Sequence, residues 1–315
     1  MCANLINESV KLLNIRVTLT VITKIIKDDE VCEPMTNVLQ AIINLVKTKT
    51  TKLEEIDAGK NRANNMGEAL EIYVKNLFAN SFSQDANSRD ETFSKVFSYC
   101  GNKNNPPDFI IEGGDAIEVK KIESQRADLA LNSSPPKSKL HRNDSRITNC
   151  CRSCEKWTIK DIIYVVGHVS KKELLSLSFV YGEDYAASPE IYEKIASTIR
   201  SGVISIDDVE FEETNELARV NRVDPLGITY LRVRGMWGIK NPLNVFKSIY
   251  SPVNGEFNFM CVINFDKYNS LPVDDRNAIE KLSKESTSLS IKEVKIKVPD
   301  NPAQLKNAKL ITFHI

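Results

Sequence analysis

The chain has 315 residues, 42% hydrophobic and 27% charged, a balance typical of a soluble globular protein with one large or two ordinary domains. Its 42 Lys and Arg residues equal its 42 Asp and Glu residues, so nucleic-acid binding would require a local basic patch. Seven scattered cysteines and the lack of a signal peptide favour a reducing cytoplasm. No segment is long and apolar enough to span a membrane, which excludes a membrane-embedded function.

The N-terminal region, residues 1–58, contains short segments of helical periodicity such as Val38 to Val46. Acidic residues 28–30 and Pro34 interrupt this pattern. The sequence therefore predicts a helical region ahead of the main domain.

A stronger amphipathic helix is predicted from Arg62 to Phe78, where the apolar residues recur at helical spacing: Met66, Leu70, Tyr73, Val74 and Leu77. Glu71 projects about 100° from the centre of this stripe, and Glu68 about 160°. A helix packed on a sheet can therefore direct the Glu71 carboxylate towards the sheet, although an ordinary surface glutamate is an equally good interpretation.

The next segment predicts a β-hairpin. Residues 109–111 form a short apolar run, residues 112–115 contain two glycines suited to a turn, and residues 116–120 alternate between apolar and charged side chains. On the returning strand, Glu118 and Lys120 share one face, and the other face can pack into a core.

Two carboxylates and a lysine in this hairpin indicate magnesium-dependent phosphodiester hydrolysis. Asp108 and Glu118 supply the oxygen ligands that a hard cation prefers, and Lys120 can orient water or stabilise charge on the phosphate. The short motif alone has little specificity, and a surface hairpin with solvated charges is the competing interpretation.

Residues 120–160 carry ten Lys and Arg side chains against four acidic ones. A loop is predicted at residues 133–136, so this segment is the best candidate for contacts with phosphates. The DNA-contacting residues predicted here are Lys121, Lys137, Lys139, Arg142 and Arg146. A solvated basic loop is the alternative.

Beyond this segment, residues 162–169 and 175–181 predict buried strands, and residues 189–199 predict a helix that closes the core. Later strands are predicted at 257–265 and 310–313. We therefore expect an α/β fold.

Three cysteines, Cys150, Cys151 and Cys154, form a cluster that contains half of a tetrahedral zinc site. No second pair follows at a suitable spacing, so free thiols are the favoured interpretation. A hydrolase triad, a phosphate-binding loop and a dinucleotide fingerprint are all absent from the sequence.

Residues 221–242 combine glycines, an aromatic residue and several arginine and asparagine side chains, the types that make bidentate contacts with base edges. Arg232 and Arg234 alternate with apolar residues, so both would leave the same face of a strand. The predicted base-contacting residues are Arg232, Arg234 and Asn241, and a strand with one solvated face is the alternative.

Taken together, these segments resemble the type II restriction endonucleases of the PD-(D/E)xK superfamily, and within it the NgoPII-type family. The resemblance covers roughly residues 38 to 250 and involves the following segments in order: 61–67 with Glu71, Pro107-Asp108, Glu118-Val119-Lys120, 131–137, 161–164 and 227–237. The nuclease motif is generic, whereas the ordered set is much more specific.

The resemblance implies a PD-(D/E)xK core, a central mixed β-sheet flanked by helices, with an N-terminal helical extension and a C-terminal α+β DNA-recognition extension. The expected regions, with approximate bounds, are residues 1–58 (helical), 59–205 (catalytic core) and 206–315 (recognition), and one compact unit is the alternative. By position, Asp108 and Glu118 correspond to metal ligands, Val119 belongs to the same metal site, Lys120 is the catalytic lysine and Glu71 the helix acid.

The same resemblance implies Mg²⁺-dependent double-strand cleavage that leaves 5′-phosphates, with GGCC as the expected site. The implied partners are double-stranded DNA, a second copy of the chain in a homodimer, and a companion DNA methyltransferase in the bacterial cytoplasm. Two alternatives stay open: a PD-(D/E)xK nuclease of repair or recombination, and a DNA-binding protein without catalytic activity.

Overall fold

The computed structural model describes residues 34–54, 62–102, 105–212, 214 and 216–315. The predicted segments at 1–33 and 55–58 lie outside this part of the chain. The described helices are α1 (Val38–Thr48), α2 (Arg62–Ala79), α3 (Ala86–Val96), α4 (Asn149–Ser153), α5 (Gly182–Tyr185), α6 (Pro189–Ile204), α7 (Pro242–Val245), α8 (Phe265–Ser270) and α9 (Val273–Glu285).

Fourteen strands are described: β1 (Phe97–Asn102), β2 (Asn105–Ile111), β3 (Ala116–Ile122), β4 (Leu129–Asn132), β5 (Lys139–His141), β6 (Ile159–Ser170), β7 (Glu173–Tyr181), β8 (Phe211–Glu212), β9 (Ala218–Val220), β10 (Leu231–Val233), β11 (Trp237–Ile239), β12 (Asn258–Asn264), β13 (Leu289–Val298) and β14 (Asn301–His314). Among the described helices, none is long and apolar enough to cross a bilayer.

A large mixed sheet forms the centre of the molecule, with strand order β1-β2-β3-β6-β7-β12-β14-β13 and β5 paired to β6. β3 runs parallel to β6, and β7 runs parallel to β12. The other neighbours in this order are antiparallel. The predicted mixed sheet flanked by helices is therefore confirmed.

The sheet is buried on both faces by two apolar clusters. One cluster contains α1, α2 and α9 residues, and its most closely packed point is Gly167 of β6 beneath Leu70 of α2. Leu70, Val74 and Leu77 are fully buried, as expected for the apolar stripe of this helix. The helix that carries Glu71 is thus fixed on the sheet.

Residues 258–314 complete the central sheet, because β12, β14 and β13 continue it from β7. The predicted boundary at 205/206 therefore divides strands that share one sheet. Two further sheets are separate from the central one: a three-stranded sheet in the order β10-β9-β8 and the two-stranded pair of β11 with β4.

The helix predicted at residues 189–199 is present as α6, but the prediction that it closes the core is wrong. No residue of α6, all of which are described, is buried. We call α6 and the small sheet, residues 189–236, the arm. Its helix bears four exposed isoleucines, and the apolar pattern that suggested burial therefore faces solvent.

Candidate active site and DNA-binding face

The catalytic candidates lie where β2 and β3 separate. These strands pair at Phe109 with Ile117 and at Ile110 with Ala116, and Asp108 and Glu118 follow immediately beyond the paired residues. The predicted hairpin is therefore confirmed. On the other side, β3 is paired with β6 along its whole length, which holds Glu118 and Lys120 in the sheet.

The Asp108 carboxylate bridges the gap between the two strands: its Oδ2 accepts a hydrogen bond of 2.6 Å from the backbone N–H of Val119. Burial and the neighbouring Glu118 carboxylate raise the pKa of Asp108 well above its usual range, although Lys120 and the Val119 N–H act in the opposite direction. A buried carboxyl group that ionises with difficulty gains strongly from a nearby cation.

Lys120 lies beside Glu118, with 2.6 Å between Nζ and Oε1. Burial alone would lower the pKa of Lys120, but the carboxylates of Glu118 and Asp108 outweigh burial and raise it. Lys120 is therefore a firmly charged ammonium group within the cluster and, at neutral pH, acts as a donor of hydrogen bonds.

Glu71 contributes to the same electrostatic cluster from α2, because its charge raises the pKa values of both Asp108 and Lys120. Its carboxylate is held by Lys75 one turn later, at 2.7 Å. The Lys75 ammonium also lies 5.5 Å from the centre of the Phe109 ring. Lys75 was missed in the sequence, although its spacing of four residues from Glu71 is a usable signal.

A cation fits this cluster. Glu118 Oε2 is buried and has no hydrogen-bond partner among the described residues. Three carboxylates, Asp108, Glu118 and Glu71, meet two ammonium groups, so a divalent cation would offset the excess negative charge. Among the described residues, no group of three or more His, Cys, Asp or Glu side chains is arranged to hold a metal ion by itself. The arrangement suits a metal that also takes water and substrate oxygens.

A cavity of about 20 Å³ adjoins Glu118 and is lined by Ser134, Pro135, Lys137 and Tyr164, among others. It has room for one water-sized group. Pro135 and Lys137 also line a larger cleft of about 360 Å³ between the loop before β5 and α6. The two spaces therefore share a wall, and the larger cleft lies between the cavity at Glu118 and helix α6 of the arm.

The basic residues of the predicted phosphate-binding segment fall into two groups, the lysines and the arginines. Lys121 and Lys139 are paired with carboxylates, and buried Lys137 is paired with Asp144. Arg146 lines the cleft. Arg142 is exposed, and its Nε donates to a backbone carbonyl. The arginines are thus better placed than Lys137 to meet a phosphate from solvent.

Arg232 and Arg234 leave the same face of the arm, because both contact one carboxylate, Glu216. Arg232 Nε lies 2.9 Å from Oε2, and Arg234 Nε lies 2.5 Å from Oε1. Glu216 was missed in the sequence because it is 16 and 18 residues distant from its partners.

The structure corrects the prediction that Asn241 contacts DNA. It is 1% exposed, its Oδ1 accepts from the Leu243 N–H at the start of α7, and its Nδ2 donates to two backbone carbonyls. Its hydrogen-bonding groups are thus occupied within the chain, and a base edge cannot reach them.

The three clustered cysteines are free thiols. Cys151 is buried, and burial raises the pKa of its thiol to about 12. That shift disfavours the thiolate form which zinc requires.

Comparison with known proteins identifies the family. The model of the NgoPII restriction endonuclease family matches residues 36–297. The chain belongs to this family. A relative named Type II restriction enzyme NgoPII, from Neisseria gonorrhoeae, is 52% identical over 281 residues, which cover 89% of this chain and 100% of the relative. No solved structure matches the chain significantly.

The chain is accordingly a type II restriction endonuclease, and the sequence-based identification is confirmed. Membership in the family decides against the two alternatives, a repair or recombination nuclease and a DNA-binding protein without catalytic activity. The matched range includes the hairpin with Asp108, Glu118 and Lys120 and also the arm.

Proposed function

We propose that this enzyme cuts both strands of duplex DNA at GGCC in a Mg²⁺-dependent reaction and leaves 5′-phosphates. The fold would then be a PD-(D/E)xK core built on β1, β2, β3, β6 and β7. The observation that carries the proposal is the convergence of Asp108, Glu118 and Lys120 at the point where β2 and β3 separate, with one Glu118 oxygen unpartnered.

In this proposal Asp108 and Glu118 hold the metal, and Val119 can add only its backbone carbonyl, since its side chain has no ligand atom. Mg²⁺, when bound, supplies the Lewis acidity that withdraws charge from the phosphoryl oxygens. Lys120 donates hydrogen bonds to the attacking water or to a phosphate oxygen. Glu71 acts from α2 as a further acidic group, and Lys75 holds it in place.

The DNA would enter along the cleft that joins the catalytic cluster to the arm, where Arg142, Arg146 and the exposed side of Lys139 meet phosphates. Lys121, near the end of β3, would also contact DNA. Arg232 and Arg234 read guanine edges from the arm. The enzyme would act as a homodimer in the bacterial cytoplasm, beside a companion methyltransferase that protects the same sites.

The test uses purified enzyme, plasmid DNA with several GGCC sites, and Mg²⁺ or EDTA. Sequencing the fragment ends reports both the site and the end chemistry. We expect cuts only within GGCC, 5′-phosphate ends, and no cleavage with EDTA.

Lys120→Met is the matched variant, because it keeps the aliphatic stem and removes the ammonium group beside Glu118. It should abolish cleavage while Ca²⁺-supported DNA binding persists. Cleavage at a different sequence would reject the GGCC assignment alone, whereas full activity in Lys120→Met would reject the proposed catalytic site.

A further inference from the structure

Glu216 places a group that only accepts hydrogen bonds between two groups that only donate them. Its ionised carboxylate has no donor, and the guanidinium groups of Arg232 and Arg234 have no acceptor. The carboxylate accepts from Arg232 Nε at 2.9 Å and from Arg234 Nε at 2.5 Å. These two arginines lower the pKa of Glu216, so its carboxylate is ionised at neutral pH. The arm therefore presents donors and an acceptor side by side.

The backbone at Glu216 is fixed independently of the two arginine partners. The Arg200 guanidinium of α6 donates to the backbone carbonyls of residues 216 and 217. The N–H of Leu217 donates to the carbonyl of Val233, and the N–H of Glu216 donates to the Thr214 hydroxyl. None of these bonds involves the Glu216 carboxylate. The residue therefore keeps its place when the arginine side chains move.

The Glu216 carboxylate is less accessible than the arginines that hold it. The side chains of Arg232 and Arg234 are 47% and 55% exposed, whereas that of Glu216 is 16% exposed. Exposed ion pairs are weak, so a guanine edge can replace the carboxylate as the partner of an arginine. Each arginine that turns to a guanine frees lone pairs on Glu216.

A carboxylate freed in this way beside DNA needs a new donor. The phosphates repel its charge, and an acceptor left unpaired in an interface lowers affinity. In the major groove, a G·C pair presents two acceptors, guanine N7 and O6, and one donor, the N4 amino group of cytosine. In a site made only of G·C pairs, this amino group is the base-edge donor available to Glu216.

We infer that Glu216 is a specificity-determining residue that accepts a hydrogen bond from the N4 amino group of a cytosine in the recognition site. Arg232 and Arg234 meanwhile donate to guanine, so the ion pairs of the free arm are exchanged for contacts with both bases of a G·C pair. A thymine in place of the cytosine would present its O4 acceptor to the carboxylate and would be repelled. The inference rests on the proposed function, because it requires that the arm reads G·C pairs.

The test is a set of binding titrations with Ca²⁺ in place of Mg²⁺, so that DNA is bound without being cut. One duplex contains GGCC, and the others carry pyrimidin-2-one, which lacks only the N4 amino group, at one cytosine of each half-site. The affinity of the wild type should fall by about 10-fold or more for one of these duplexes. Pyrimidin-2-one at a cytosine outside GGCC should leave the affinity unchanged.

Glu216→Ala should lose the response to pyrimidin-2-one, because the carboxylate that meets the amino group is gone. Glu212→Ala is the matched control. It removes an exposed carboxylate of the same arm, which pairs with Arg219, and it should respond like the wild type. A duplex with 7-deazaguanine, which lacks the N7 acceptor, should weaken binding by the wild type and by Glu216→Ala alike, because the arginines are present in both.

Two results for Glu216→Ala would overturn the inference. If this variant responds to pyrimidin-2-one as strongly as the wild type, another residue contacts the amino group. If it loses its response to 7-deazaguanine, Glu216 acts only by holding the two arginines in place.

The wild type separates this inference from the proposed function. Equal affinity for GGCC and scrambled duplexes would reject the proposed GGCC recognition itself. A wild type that prefers GGCC but binds every pyrimidin-2-one duplex as tightly as the unmodified one would reject the role of Glu216 and leave the proposed function standing.

Discussion

The catalytic hairpin and the arm are held in place by different kinds of contact. Asp108, Glu118 and Lys120 project from strands in the central sheet, between two apolar clusters. Arg232 lies on the short exposed strand β10, Arg234 directly follows that strand, and both are held by one carboxylate, Glu216. The first region is fixed by backbone pairing and burial, and the second by ion pairs in contact with water.

This difference matches the roles proposed for the two regions. Phosphodiester hydrolysis needs groups held to within fractions of an ångström, which a paired strand provides. Base reading needs side chains that can leave one partner and take another, and exposed ion pairs are weak enough to exchange. The first two predictions therefore compare a large expected loss of cleavage rate with a moderate expected loss of discrimination between GGCC and scrambled DNA.

The largest effect is expected for Asp108→Asn, which should lower Mg²⁺-dependent cleavage by about 10³-fold or more, since metal activation supplies several kcal/mol. The same variant should be more stable than the wild type without metal at neutral pH. The pKa of Asp108 is raised in the folded state, so ionising it costs folding free energy.

That cost is absent below the unfolded pKa near 3.8, grows as the pH rises from there to the folded-state pKa, and is constant above it. The difference in melting temperature between Asp108→Asn and wild type should accordingly appear above about pH 4 and vanish below it. Mg²⁺ should raise the melting temperature of the wild type alone. Glu123→Gln, an exposed carboxylate change, is the control, and equal melting curves at neutral pH would contradict the argument.

A moderate effect is expected in the arm. Arg232→Ala or Arg234→Ala should cost about 1–3 kcal/mol of discrimination between a GGCC duplex and a scrambled one, or roughly 5- to 150-fold. Paired titrations at equal salt measure the ratio. Arg222→Ala, which removes an exposed arginine paired with Glu210 in the same arm, should leave the ratio unchanged. An unchanged ratio in both test variants would move base reading elsewhere.

The packing of the core can be tested at Gly167. A Cβ at this position would lie 2.7 Å from both methyl groups of Leu70, which is fully buried, so the leucine would have to shift within the core. Gly167→Ala should therefore destabilise the protein by about 1–3 kcal/mol in urea unfolding. Gly67→Ala is the matched change on α2, where a Cβ meets no described atom, and it should stabilise by up to about 1 kcal/mol.

The smallest expected effect is a shift in the pH dependence of cleavage. The Glu71 charge raises the pKa of Asp108, so Glu71→Gln should lower that pKa and allow Asp108 to ionise at lower pH. In a plot of cleavage rate against pH, the acid limb should shift to lower pH, and this shift is independent of the maximal rate. Glu68→Gln, one turn earlier on α2, should leave the limb in place. A limb that does not move in Glu71→Gln would mean that Glu71 is distant from Asp108 in solution.

The catalytic hairpin could be predicted from the sequence because all of its determinants are local. The apolar run, the glycine turn and the alternation of residues 116–120 fix both the turn and the face on which Glu118 and Lys120 lie. Helix α2 was predicted for the same reason. Its packing on the sheet then brings Glu71 into electrostatic reach of Asp108.

Features that depend on distant contacts were missed or wrong. Asn241 has the right side chain for a base contact. Its Nδ2 instead donates to the backbone carbonyls of residues 125 and 127, and its Oδ1 caps the start of α7. The apolar spacing of α6 predicts a buried face, but no residue of this helix is buried in the structure. Strand β13 was missed because its alternation is mostly polar, with only Leu289 and Ile296 buried.

Strand β13 also has a consequence for the behaviour of the protein in concentrated solution. It ends the order of the central sheet, so one side of its backbone offers unpaired donors and acceptors to any passing strand. Three exposed lysines, Lys292, Lys295 and Lys297, lie along it. Because the chain has no net charge to keep its copies apart, this local repulsion protects the edge against fibril-like stacking.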